Sequence, residues 1–136
     1  TIIPDLPDTV KSYTIPTRIP ILTTEPVTIN IAEGIFDVLG IYYHIMDKKT
    51  KNTIYTAVCG SGYFNVIRYF ISLGLIGKNV NINIFSDADK DYYWYSKMIK
   101  ELSPFVNSIN IYYNTKEKDY GVHSDQIDLI KLKKNM

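Results

Sequence analysis

From residue 28 onward, short β-branched runs alternate with longer helical stretches, and this limits the possible folds more than any other feature of the chain. Residues 28–32 read as a strand ending at Glu33-Gly34. Residues 35–46 follow as a helix that is apolar nearly all round, which predicts burial on a sheet face. After a polar turn, residues 53–59 form a second β-branched run, and Gly60-Ser61-Gly62 leads into a helix over 63–75, with Gly74 and Gly77 bracketing its end. Residues 80–85 give a third strand that ends at Ser86-Asp87-Ala88-Asp89. The helix over 90–102 is stopped by Ser103-Pro104, and residues 106–113 give a fourth strand. This order predicts the α/β class: a Rossmann-like, open, parallel four-stranded sheet with helices on both faces. Crossovers in such a sheet are right-handed, and ligands sit beyond the carboxyl ends of the strands.

The flanks read differently. Residues 1–27 hold Pro4, Pro7, Pro16, Pro20 and Pro26, and proline fixes φ and removes a backbone donor. That segment is expected to be an extended lead-in or linker, with an edge strand near residues 14–22. The absence of an initiator Met hints at a fragment of a longer chain. Residues 28–136 then form one domain, with a core over 28–113 and a polar, lysine-rich C-terminal extension over 114–136. A length of 136 residues is room for one hydrophobic core. The net charge of +1 favours no polyanionic partner in bulk, so any nucleic-acid contact must come from local patches. Cys59, the single cysteine, ends an apolar run and is expected to be an inert core thiol in a reducing compartment. No apolar stretch approaches the ~20 residues that span a bilayer, and no signal peptide is visible. The expected location is cytoplasmic, with no membrane partner.

Three carboxylates fall at the predicted functional edge: Glu33 after the first strand, and Asp87 and Asp89 after the third. In an extended segment, alternate residues point the same way, which puts Asp87 and Asp89 roughly 6.5 Å apart along the chain. If the first and third strands are neighbours, roughly 4.8 Å apart, Glu33 joins the same cluster. Carboxylates this close repel unless a cation lies between them. Mg²⁺ suits such oxygen donors, commonly with substrate phosphates completing its shell. An Asp-x-Asp turn before a helix can equally be a capping device, because Asp is a favoured N-cap.

Glu33-Gly34-Ile35-Phe36-Asp37 resembles the Glu-Gly-x-x-Asp motif of Toprim domains, and Asp87-Ala88-Asp89 resembles their Asp-x-Asp motif. The intervening stretch contains the strand-end Gly60, and the resemblance covers residues 28–113. The family includes bacterial and phage DNA primases, type IA and type II topoisomerases, nucleases, recombination proteins and a ribosomal-RNA maturase. The resemblance implies a metal or acid/base role for Glu33 and Mg²⁺ coordination (Mn²⁺ as a substitute) by Asp87 and Asp89. Asp37 matches the motif's second acid and, with Asp91, is a further candidate metal ligand, or is a first-turn helix acid favoured by the macrodipole. Gly34 is read as letting the backbone turn sharply into the helix. Asp91 resembles the third acid of the type II topoisomerase Asp-x-Asp-x-Asp, while Tyr92 stands where many Toprim domains have a small residue. Lys118-Asp119 partly matches a Lys-Asp pair found after the fourth strand in primases, with Glu117 in place of the glycine; a solvated loop is the other reading.

Lys48, Lys49, Lys51 and Lys78 belong to the far end of the sheet, whereas Lys90, Lys97, Lys116 and Lys118 belong on or near the functional edge, where Lys90 and Lys118 are candidate phosphate or nucleotide contacts. The spacing of 92, 95, 99 and 102 predicts a core stripe. It leaves Tyr93 and Trp94 more exposed, for packing against another domain or stacking on a base. The resemblance therefore implies the Toprim catalytic domain of a DNA primase that makes RNA primers with Mg²⁺ in phage DNA replication. The Asn-, Ile-, Lys- and Tyr-rich usage fits an AT-rich genome. Its partners would be nucleoside triphosphates, single-stranded template, other primase domains or a replicative helicase. A Toprim nuclease or maturase and a non-catalytic Toprim interaction module are the alternatives. Residues 1–27 are too few for the basic subdomain that precedes the Toprim fold in primases, so the chain alone is expected to be weakly active or silent.

Overall fold

A computed structural model describes residues 12–14, 26–44, 52–59, 62–72, 79–86, 90–116, 120 and 129–131. Within these, the strands are β1 (Tyr13–Thr14), β2 (Val27–Ala32), β3 (Thr53–Ala57), β4 (Val80–Ser86), β5 (Ser108–Asn114) and β6 (Leu129–Lys131). The helices are α1 (Ile35–His44), α2 (Tyr63–Ser72) and α3 (Tyr92–Leu102). The strands form one mixed sheet in the order β1-β3-β2-β4-β5-β6. The four inner strands run parallel, and β1 and β6 pair antiparallel at the two edges.

The α/β class stands, but the expected four-stranded, all-parallel sheet is corrected to six strands of mixed direction. The physical reason lies at the edges. An uncovered parallel edge strand leaves a row of unpaired N–H and C=O groups, and a short added segment covers it. On one side, Thr14 Oγ1 and Thr56 Oγ1 lie 3.0 Å apart, and Thr56 Oγ1 donates to the Tyr13 carbonyl at 3.1 Å. β6 does the same for β5, pairing Leu129, Ile130 and Lys131 with Asn114, Tyr113 and Tyr112. The edge strand expected near residues 14–22 is met at Tyr13–Thr14, with residues 15–22 outside the described residues, whereas three residues are too few for β6 to show a β period.

The inner strands alternate sharply. Val80, Ile82 and Ile84 of β4 are buried on one face with Ile29 and Ile31 of β2, under Val66 and Ile67 of α2 and Tyr95, Met98 and Leu102 of α3. The other face carries α1, where Val38 and Ile41 pack against Ala32, Tyr55, Ala57 and Phe85. The expected burial of α1 on a sheet face holds through Val38 and Ile41, while its other apolar residues Ile35, Phe36 and Tyr43 are exposed, Phe36 at 82%. A helix of ten residues can cover only the strand ends with one stripe. Gly62, just before α2, has φ +83°, a left-handed conformation that glycine adopts without strain.

Where α1 does not reach, the same sheet face carries an amide ladder. Asn83 Nδ2 donates to Asn30 Oδ1 at 3.1 Å, and Asn110 Nδ2 donates to Asn83 Oδ1 at 3.3 Å. One row lower, Asn81 Oδ1 accepts from Asn107 Nδ2 and Ser108 Oγ, each at 2.7 Å. The register demands this, because Asn30, Asn83 and Asn110 are direct cross-strand partners. Asn83→Ala removes the middle rung and is expected to lower stability by about 1 kcal/mol, since the half-buried amides left behind regain only part of their bonding from water. The urea unfolding midpoint measures it, and an unchanged midpoint would show that the ladder carries no stability.

Candidate functional site

The carboxyl end of the sheet is assembled from the ends of β2, β3 and β4. β2 is central: Ala32 is opposite Ala57 on one side and Phe85 on the other. Past the strand, the Val58 N–H donates to the Ala32 carbonyl and the Cys59 N–H to the Glu33 carbonyl, both at 2.9 Å. The backbone of Glu33 is thereby tied to its neighbour, while the residue itself is exposed at the rim. Cys59 is exposed, with φ 52°, so the expected core thiol is corrected. The buried run stops at Val58, and the chain turns out of the sheet at the next residue.

Helix α1 begins two residues after Glu33, and the Val38 N–H donates to the Gly34 carbonyl at 3.1 Å. Asp37 Oδ1 accepts from the Tyr120 N–H at 3.0 Å, which ties the first turn of α1 to the segment after β5. A Cβ on Gly34 would lie 3.3 Å from Asp37 Oδ2. Gly34 is thus also explained by close approach of this carboxylate.

The end of β4 is held from both faces at one residue. Ser86 is 1% exposed. From the α3 side, the Tyr95 hydroxyl is hydrogen-bonded to Ser86 Oγ. From the α1 side, the Tyr120 hydroxyl donates to the Ser86 carbonyl at 2.6 Å, with the Tyr112 carbonyl 3.3 Å away. Both tyrosines are buried, Tyr95 against Tyr63 and Tyr120 against Phe85 in edge-on ring contacts. Tyr120 falls in the stretch expected to be a polar extension, and it is buried. Neither tyrosine was singled out as a site residue. The available signals were a hydroxyl at the end of an apolar strand and, for Tyr95, its place in the core stripe. Of the expected stripe 92, 95, 99 and 102, Tyr95 and Leu102 are buried and Tyr92 and Ile99 are half-buried, while Met98, outside that stripe, is buried with them.

Of the remaining site residues, Asp91 is the N-cap of α3, accepting from the Trp94 N–H at 3.0 Å. Lys90 Nζ lies 4.8 Å from the centroid of the Trp94 ring. Tyr93 and Trp94 are exposed, as their helix positions predict. Asp87, Asp89, Gly60, Lys118 and Asp119 lie outside the described residues, as do Lys48, Lys49, Lys51 and Lys78. Among the described residues no three His, Cys, Asp or Glu side chains gather as a metal-binding group. No helix among them is long and apolar enough to cross a membrane. Comparison with protein families, with curated proteins and with solved structures finds no match to this chain.

Proposed function

We propose that this chain is a Toprim-type domain of a DNA primase, in which Glu33, Asp87 and Asp89 hold Mg²⁺ for phosphodiester formation. The observation that supports the reading is the pairing of β2 with β4. The two strands are adjacent, parallel and in register from Val27–Val80 to Ala32–Phe85. Glu33 therefore leaves β2 beside the end of β4, after which the sequence runs Asp87-Ala88-Asp89. Neighbouring parallel strands lie about 4.8 Å apart, close enough for acids at their ends to share a cation. An all-oxygen donor set at a solvent-facing rim fits Mg²⁺ or Mn²⁺ rather than a softer metal. Bound there, the ion would neutralise charge on transferring phosphates. Direct ligation falls to Glu33, Asp87 and Asp89. Asp37 and Asp91 each use one carboxylate oxygen on a backbone N–H and take supporting roles. The grip on Ser86 gives the acids that follow it a fixed starting point.

The test is metal binding by the chain and its Asp87→Asn/Asp89→Asn variant. Mg²⁺ should raise the melting temperature of the parent, by about 2.7 kcal/mol of added stability at a hundred times Kd. The double variant should be the more stable of the two in EDTA, because a repulsion is gone, and should respond little to metal. Equal Mg²⁺ stabilisation and equal paramagnetic broadening by Mn²⁺ in both would overturn the site. Metal-dependent DNA cleavage that disappears in Glu33→Gln would replace the primase reading with the nuclease one.

A further inference from the structure

A groove of about 220 Å³ opens between the first turns of α2 and α3, at the same end of the sheet as Glu33. Tyr63 and Tyr95 form its floor, Phe64 and Asn65 one wall, and Trp94 and Lys97 the other. The floor is rigid, since Tyr95 is fully buried and bonded to Ser86 at the end of β4. The walls are aromatic, and each carries a cation. Arg68 lies 5.5 Å from the Phe64 ring centroid and Lys90 lies 4.8 Å from that of Trp94. Trp94 is 57% exposed, and Lys97 and Asn65 are exposed beside it.

We propose that this groove binds single-stranded nucleic acid, with a base against Trp94 and Phe64 and the flanking phosphates on Lys90, Lys97 and Arg68. Aromatic faces interleaved with cations match a strand of stacked bases on a polyanionic backbone, whatever its sequence. A protein partner fits less well, because Lys is depleted from the desolvated centres of protein interfaces. Charge supports the assignment: Lys97 lines the groove, and Arg68 and Lys90 lie over the Phe64 and Trp94 rings that border it. The inference deepens the function proposed above, because it locates the single strand relative to the Glu33 rim. It takes from that reading only the class of ligand, and its test needs no metal.

Trp94 is the only tryptophan, so intrinsic emission reports on this groove alone. The experiment titrates the full chain with oligothymidylate in EDTA, following tryptophan emission and the anisotropy of a labelled oligonucleotide together. The expected result is saturable quenching that tracks the anisotropy, with affinity falling as salt rises. Trp94→Ala and Phe64→Ala should each weaken binding about five- to a hundred-fold. Lys97→Ala should reduce the slope of log K against log salt by about 0.7. Tyr43→Ser, on α1 across the sheet, serves as the control and should bind like the parent. Circular dichroism melts confirm that each variant is folded, and Lys97→Ala, at an exposed position, keeps the test decisive if an aromatic variant unfolds. Oligonucleotide binding without quenching, or binding unaffected by Lys97→Ala and Trp94→Ala, would overturn the proposal. So would the absence of binding, or Trp94 emission that shifts with protein concentration alongside self-association, which would give the groove to a second copy. Failure of the Mg²⁺ test leaves these outcomes unchanged, so the two readings fall separately.

Discussion

Tyr120→Ala is expected to lower the unfolding free energy by about 3–5 kcal/mol, the cost typical of emptying a buried aromatic site. Tyr120 is 1% exposed and joins three parts of the α1 face. Its ring meets Phe85 edge-on at 5.6 Å, its hydroxyl reaches the Ser86 carbonyl, and its N–H reaches Asp37. For a domain whose total stability is about 5–15 kcal/mol, such a loss removes a large share. Tyr120→Phe keeps the ring and loses only the hydroxyl, so it should cost about 1–3 kcal/mol. Urea unfolding with an unchanged m-value measures both. A Tyr120→Ala variant within 0.5 kcal/mol of the parent would mean that the segment after β5 does not anchor the sheet end.

Tyr95→Ala should be of similar size, about 3–5 kcal/mol, from the opposite face. Tyr95 is fully buried and stands between Tyr63 and Trp94, at ring separations of 5.8 and 4.7 Å. Tyr95→Phe leaves Ser86 Oγ in a buried place without its partner and should cost about 1–3 kcal/mol. The two hydroxyls engage one residue through different atoms, so their losses should not add. The Tyr95→Phe/Tyr120→Phe double variant is expected to show a coupling of at least about 0.5 kcal/mol. Strict additivity across the cycle would show that Ser86 is not a shared point of restraint.

The inner elements were readable because each is long enough to show its own period. β4 reads Val-Asn-Ile-Asn-Ile-Phe-Ser, and that alternation predicts both a strand and two unlike faces. Tyr93 and Trp94 were placed outside by helical spacing alone, and they are exposed. Local pattern failed where a neighbour decided the outcome. The all-round apolar character of α1 placed it on a sheet face but could not say which stripe would meet the sheet, and Ile35, Phe36 and Tyr43 are left exposed. Cys59 looked like the last residue of a buried strand, but pairing with β2 ends the strand at Ala57 and the chain turns at Cys59.

The sequence by itself determined the α/β class, the parallel inner strands and the placing of Glu33 at a strand end, because β and helical periods and turn residues are local properties. Only the tertiary structure decided that β2 lies beside β4, which strands Tyr13–Thr14 and Leu129–Lys131 cover at the edges, and that Tyr95 and Tyr120 converge on Ser86. Apart from Ser86–Tyr95, nine residues apart, these are contacts between residues distant along the chain. They form because buried hydroxyls and carbonyls must find partners and because sheet edges must be covered, and both demands exist only once the sheet is built.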